Sequence, residues 1–231
     1  MEIGMSTDRG QCREINEDSL GWKDNLLVLA DGMGGHNAGE IASALVVERV
    51  LRLDTNEKEF IPALRSVLNQ ANQLLLDYAK RYPECQGMGT TIVLAKVDEE
   101  KITIAHVGDS RLYLWRKGEL TQITRDHSVV EELIREGGIT EEEARIHPQR
   151  NLLTKALGTP GDVEAEITEA PVTKGDRILL CSDGLTTMLE KQEINRVLSA
   201  NVSVQEIADH LIQEANNCGG IDNITVMVVQ I

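Results

Sequence analysis

The chain has 231 residues, with 38 acidic against 23 basic side chains, a formal net charge of −15, and only one Phe and two Trp. That length fits one large domain or two small ones, and no Pro- or Ser-rich linker divides it, so a single domain over 1–231 is expected. The acidity argues against nucleic acid or an anionic membrane as the main partner, because phosphate groups are gripped by Lys and Arg.

No apolar run approaches the roughly 20 residues of a membrane helix. The start, Met1-Glu2-Ile3-Gly4-Met5, has no basic or apolar leader. Cys12, Cys85, Cys181 and Cys218 make no Cys-x-x-Cys pair and no zinc-like spacing. Free thiols suit a reducing cytosol, so a cytoplasmic location is expected. Cys181, inside an apolar strand, reads as a small core residue.

In chain order, residues 2–7 and 19–30 read as strands. Residues 26–30 are wholly apolar, as in a strand buried on both faces. They run into Asp31-Gly32-Met33-Gly34-Gly35, a carboxylate at a rigid strand end beside glycines that let the backbone turn. Residues 40–53 are rich in helix formers. Asn56 with Glu59 resembles a capping box, and Phe60, Leu64, Val67, Leu68, Ala71 and Leu75 follow at helical spacing. Residues 88–123 read as a meander, turning at Gly108-Asp109-Ser110 and Lys117-Gly118.

The stretch 126–150 is a charged surface excursion of two short helices, the second starting at Thr140 with Glu143. Residues 152–157 and 163–182 return to strands, and 190–198 look helical. Ser203 with Glu206 caps an amphipathic helix, and 223–231 closes as a strand. This order lacks the alternating rhythm of a parallel doubly wound sheet. It predicts an α+β fold, antiparallel sheets with helices outside them.

Carboxylates recur at strand ends: Glu17-Asp18, Asp31, Asp109 in Val107-Gly108-Asp109-Ser110-Arg111, Asp183 in Ser182-Asp183-Gly184, and Asp222 in Gly220-Ile221-Asp222-Asn223. Oxygen-rich sites without thiols favour magnesium, manganese or calcium. These ligands come from distant segments, unlike an EF-hand loop. Several converging carboxylates repel one another, and two divalent cations would relieve the repulsion. A two-metal site lowers the pKa of a bound water and clamps an in-line displacement at phosphorus. Arg13, just before Glu17-Asp18, offers a planar fork for phosphate.

Taken in order, Arg13, Asn16-Glu17-Asp18-Ser19, Ala30-Asp31-Gly32-Met33-Gly34-Gly35, Gly87-Met88-Gly89-Thr90-Thr91, Val107-Gly108-Asp109-Ser110-Arg111, Ser182-Asp183-Gly184 and Gly220-Ile221-Asp222-Asn223 resemble the metal-dependent, type 2C protein serine/threonine phosphatases, most of all the compact bacterial members. The resemblance covers nearly the whole chain. It implies a central antiparallel β-sandwich flanked by pairs of helices in α-β-β-α layers. It implies two Mn2+ or Mg2+ ions, with Asp31 bridging them and the Gly32 carbonyl on one. Glu17, usually through water, and Asp18 serve the cluster from the N-terminal side. Asp183 and Asp222 complete the other ion's shell, Asp109 helps hold a weaker third ion, Arg13 binds phosphate, and 126–150 is a flap over the site.

The implied reaction is hydrolysis of phosphoserine and phosphothreonine in proteins by a water or hydroxide that the two metals activate. The implied setting is a monomer opposing a bacterial serine/threonine kinase, whose substrates, or the kinase itself, it would dephosphorylate. Other readings of the same residues are a phosphoesterase for small esters, a silent phosphoprotein-binding module and a calcium-stabilised structural domain. One position departs from part of the family. Met33 stands where some members carry a histidine proposed to protonate the leaving group; methionine cannot donate a proton, which leaves the donor open, a metal-bound water being one candidate. His36 is near in sequence, His106 reads as a satisfied core residue, His127 and His147 lie in or beside the flap, and His210 is on a helix.

Overall fold

The computed structural model describes residues 1–34 and 38–231. Gly35 and His36 therefore lie outside the described residues. The elements are β1 (Glu2–Asp8), β2 (Asp18–Lys23), β3 (Leu26–Met33), α1 (Ala38–Val50), α2 (Phe60–Arg81), β4 (Gly89–Thr90), β5 (Ile92–Val97), β6 (Lys101–Val107), β7 (Arg111–Arg116) and β8 (Glu119–Gln122). Then come α3 (Val129–Arg135), α4 (Glu141–Ile146), β9 (Glu166–Pro171), β10 (Arg177–Cys181), α5 (Asp183–Met188), α6 (Lys191–Leu198), α7 (Val204–Asn217) and β11 (Ile224–Gln230).

Two antiparallel sheets result. One has the order β1-β11-β10-β7-β8; the other is β2-β3-β5-β6-β9, with β4 beside β3. Period-2 alternation builds the layers. In β3, Leu27 and Leu29 pack between the sheets against Ile178, Leu180, Met227 and Val229. Leu26, Val28 and Ala30 face the other way, onto α1 and α2. In β10 and β11, Leu179, Cys181, Val226 and Val228 face α5, α6 and α7. The expected α-β-β-α layering is present, although three helices rather than a pair cover the second sheet.

Several local expectations change. The stretch 19–30 is a hairpin of two strands, with Asp24 at φ 54° in its turn; a short polar side chain tolerates that left-handed backbone. No capping box forms at Asn56. Its N–H donates to Asp54 Oδ1 at 2.9 Å, and Glu59 precedes α2 without a side-chain cap. The boxes at Thr140/Glu143 and Ser203/Glu206 do form. Residues 152–157 make only two isolated bridges, Ser128 to Leu153 and Thr90 to Leu157. The 88–123 meander changes sheet: β5 and β6 belong to one, β7 and β8 to the other, and residues 108–110 cross between them. The short α5 had no sequence signal, because its six residues begin at Asp183-Gly184 and are too few for a periodic stripe.

Among the described residues no helix is long and apolar enough to cross a membrane.

Candidate metal centre and catalytic cleft

The alternation that sends Leu27 and Leu29 between the sheets sends Asp31 there as well, at the strand's end. Its cross-strand partner on β2 is Asp18. In β10 the inward residues are Ile178 and Leu180, and two positions further on lies Ser182. Its Oγ donates to Asp18 Oδ2 at 2.8 Å and accepts the N–H of Thr225 at 3.0 Å. Asp183 then opens α5.

Arg13, Glu17, Asp31, Gly32, Asp109, Asp183 and Asp222 line one cavity of about 410 Å3 at this end of the sandwich. Asp18 lies buried beneath it. All the expected site residues are thus brought together.

Short polar contacts hold these groups. The Asp31 carbonyl accepts from Thr91 N and Thr90 Oγ1, both at 2.8 Å. Asp31 N donates to Thr91 Oγ1 at 3.0 Å, and that hydroxyl lies 2.7 Å from Ser110 Oγ, next to Asp109. Asn223 is buried and binds three residues of the stretch between β1 and β2: its Oδ1 accepts from Glu17 N at 2.8 Å, and its Nδ2 donates to the carbonyls of Arg9 and Ile15. Gly32 is required by close approach, because a Cβ there would overlap the carbonyl oxygens of Gly39 and Glu17. Arg13 donates to Asp222 Oδ2 at 2.8 Å.

Ser182 therefore orients the Asp18 carboxylate directly, while Thr91 and Asn223 fix the backbone that carries Asp31 and Glu17. Their motifs were visible in the sequence, but a hydroxyl or amide beside an Asp carries no local mark of what it touches.

The electrostatics are those of carboxylates crowded at the floor of a cavity that is open on one side. Burial pushes Asp31 well above the usual range, and the charges of Asp18, Asp183, Asp109 and Asp222 add to it. Burial, with Asp183 and Asp222, lifts Asp18 to about 7. Burial, with Asp183, lifts Asp109 to about 8. Burial, with Asp222, lifts Asp183 to about 6. Glu17 is raised by burial too, against the Gly39 amide and Arg13. Arg13 is held more firmly protonated by its hydrogen bond to Asp222.

The donor set fits hard cations. It is all oxygen, and it is mutually repulsive without positive charge. Asp18 Oδ1 is buried with no hydrogen-bond partner, a costly state for a carboxylate oxygen that a cation would relieve. Asp31 and Asp183 lie within hydrogen-bonding reach of each other, but among the described residues no three of these carboxylates bring ligand atoms within 4.8 Å of one another. Among the described residues, the grouping of three ligand atoms within 4.8 Å is another one, His106, His127 and Glu166.

The remaining sequence readings place as follows. Met33 is partly exposed and lines the cleft. His106 is buried, and its Nε2 donates to the Arg125 carbonyl at 2.6 Å, the satisfied core residue expected. Cys181 is fully buried, and burial pushes its thiol up to about 12, so it is no thiolate nucleophile. A second cavity of about 750 Å3 runs between α3, α4 and α5, α6, meeting the first at Asp109, Asn151 and Asp183. Arg145 of α4 reaches across to Glu190 at 2.7 Å.

Comparison with known proteins agrees with this geometry. The family model described as Protein phosphatase 2C matches residues 2–224. The chain is 42% identical over 243 aligned positions to a serine/threonine phosphatase stp of Listeria welshimeri, covering 100% of this chain and 96% of that protein. The crystal structure of the Mycobacterium tuberculosis serine/threonine phosphatase PstP/Ppp superposes with a TM-score of 0.94 at 42% identity, over 100% of this chain and 98% of that one. A structure of the PstP catalytic domain in complex with two manganese ions superposes at 0.91 and 40% identity, over 99% and 97%. With such matches running end to end over a sandwich whose cleft gathers the motif carboxylates, the chain belongs to the protein phosphatase 2C family.

Proposed function

We propose that this chain hydrolyses phosphoserine and phosphothreonine in proteins at the cleft between the two sheets. One observation carries the reading: carboxylates from five separate segments, together with Arg13, meet at one cavity, and one of them keeps a buried unpartnered oxygen. The relatives' names, and the two manganese ions in one similar structure, support a bimetallic site. Two divalent cations held there would lower the pKa of a bound water and neutralise charge on the transferring phosphoryl group.

In this reading Asp31, the Gly32 carbonyl, Glu17, Asp183 and Asp222 would hold the two ions, with Asp31 as the shared ligand. Asp18 would support them from below, and Asp109 would help hold a third, weaker ion. Arg13 receives the phosphate. It makes one bond to Asp222, which leaves the other donors of its fork for phosphate oxygens. Ser182, Thr91 and Asn223 keep the ligands in place. Met33 donates no proton, so the leaving oxygen takes its proton from water. The chain is read as one catalytic domain with a flap over 126–150. It works as a cytoplasmic monomer with Mn2+ or Mg2+ and opposes a serine/threonine kinase.

The test is phosphate release from phosphoserine and phosphothreonine peptides with manganese, against chelator and against sugar phosphates. Turnover that survives chelation, or that favours the sugar phosphates, contradicts the proposal.

A further inference from the structure

The loop that carries Asp109 is held from two sides. On the side of Asp31, Gly108 lies so close to Thr91 that a Cβ would come within 2.6 Å of its side chain, and Ser110 Oγ meets Thr91 Oγ1 at 2.7 Å. On the other side stands His127. Its N–H donates to the Gly108 carbonyl at 3.0 Å, and its Nδ1 accepts the Gly108 N–H at 3.1 Å. Its own carbonyl accepts from Thr154 N at 2.8 Å, on the cleft-lining segment. The ring stacks on His106, with centroids 4.7 Å apart and planes 10° apart, and its Nε2 lies 3.7 Å from Glu166.

His106, His127 and Glu166 gather closely enough to suggest a separate cation site, but the hydrogen bonds speak against one. An Nδ1 that accepts from an amide leaves the ring proton on Nε2, the atom an ion would need. Nearly parallel stacked rings also aim their in-plane lone pairs past a common point.

We infer that His127 is a positioning residue, which through the Gly108 peptide holds Asp109 at the rim of the catalytic cavity. This rests on the proposed reading of Asp109 as an ion ligand. The function asked of His127 is narrow: an acceptor at the Nδ1 position. Asn offers an oxygen at nearly that reach, whereas Ala offers none. A group that orients a ligand in this way typically affects metal affinity by about 10–100-fold.

The experiment uses the full chain as His127→Asn, His127→Ala, Asp109→Ala and the His127→Ala/Asp109→Ala double variant. Hydrogen exchange of the Gly108 amide is followed without metal, and Mn2+ binding by calorimetry. His127→Ala is expected to lose Gly108 protection and to weaken the weakest Mn2+ step about tenfold. His127→Asn is expected to keep both, and the double variant to bind no worse than Asp109→Ala. The proposal is overturned if His127→Asn behaves like His127→Ala, or if His127→Ala binds Mn2+ as the parent does. Should His127→Ala not fold, His127→Asn against the parent decides. An Asp109→Ala protein that binds Mn2+ like the parent would instead sink the reading of Asp109 itself, a failure distinguishable from loss of the His127 contact.

Discussion

Asp18 and Asp31 face each other as direct partners across the β2–β3 ladder, a buried acid and a half-buried one on one face of one hairpin. Like charges directly opposite on a sheet are destabilising. Here the repulsion is compounded by Asp183, Asp109 and Asp222. A divalent cation would supply the counter-charge this pair calls for, and most consequences below follow from that.

Without metal, the protein should lose stability as pH rises. Asp183, Asp18 and Asp109 stand at about 6, 7 and 8, above the unfolded value near 4. Between those limits the folded state binds more protons than the unfolded one, so raising the pH favours unfolding. In chelator, the Tm at pH 5 should exceed that at pH 8, each kcal/mol amounting to about 2–4 °C at this chain length. Saturating Mn2+ should abolish or reverse the trend. A metal-free Tm that climbs from pH 5 to 8 would contradict the assignment.

Asp31→Asn should separate stability from activity. The amide keeps the shape and removes the charge that Asp18, Asp183, Asp109 and Asp222 oppose. Metal-free Asp31→Asn is expected to melt above the parent at pH 8, with the gap narrowing toward pH 5, while manganese-dependent turnover falls to background. Calorimetric melts and a phosphopeptide assay on the same preparation check both.

Ser182→Ala removes the hydroxyl between Asp18 Oδ2 and Thr225 N. A buried amide is left without its acceptor, at a cost of about 1–3 kcal/mol. Mn2+ affinity should fall by about 10–100-fold, because Asp18 loses its orienting partner. Denaturant unfolding and a metal titration measure the two effects.

Arg13→Ala should behave in the opposite way. Arg13 and Asp222 are half-exposed, so their ion pair adds at most about 1 kcal/mol and stability should barely move. Turnover of phosphopeptide should drop by about tenfold or more, since the phosphate loses its fork. Arg13→Lys should recover only part, because an ammonium cannot grip two oxygens at once. Steady-state kinetics of the three proteins would show an unchanged Arg13→Ala if Arg13 has no such role.

Cys181→Ala should retain turnover. The thiol is fully buried and held protonated, so a covalent cysteine route has no nucleophile there. Alkylation of the folded protein should label the exposed Cys12 and Cys218 and spare Cys181 and Cys85. Mass mapping after a short iodoacetamide pulse reads this directly.

Much of this was legible in the chain. The amphipathic stripe of α2, the capping box of α7 and the apolar run of β3 each repeat over a few residues, which is the scale at which side-chain periodicity reports structure. The carboxylates at strand ends were legible for the same reason. Other features were not. Asn56 and Glu59 have the spacing of a helix cap, yet Asp54 takes the Asn56 amide. Residues 152–157 look like a strand, but instead of joining a sheet they line the cleft. His127 showed nothing in sequence beyond its place near the flap.

The sequence alone determined the inventory: which segments bury an apolar face, and that hard-cation ligands stand where those segments end. Tertiary structure decided how the inventory meets. It set Asp31 opposite Asp18 rather than one register away, sent residues 108–110 across from sheet to sheet, and brought Ser182 to Asp18 and Arg13 to Asp222 over 164 and 209 positions of chain. Local periodicity carries no information about such separations; they are set by how two twisted sheets pack face to face, and the cleft exists only where their ends come together.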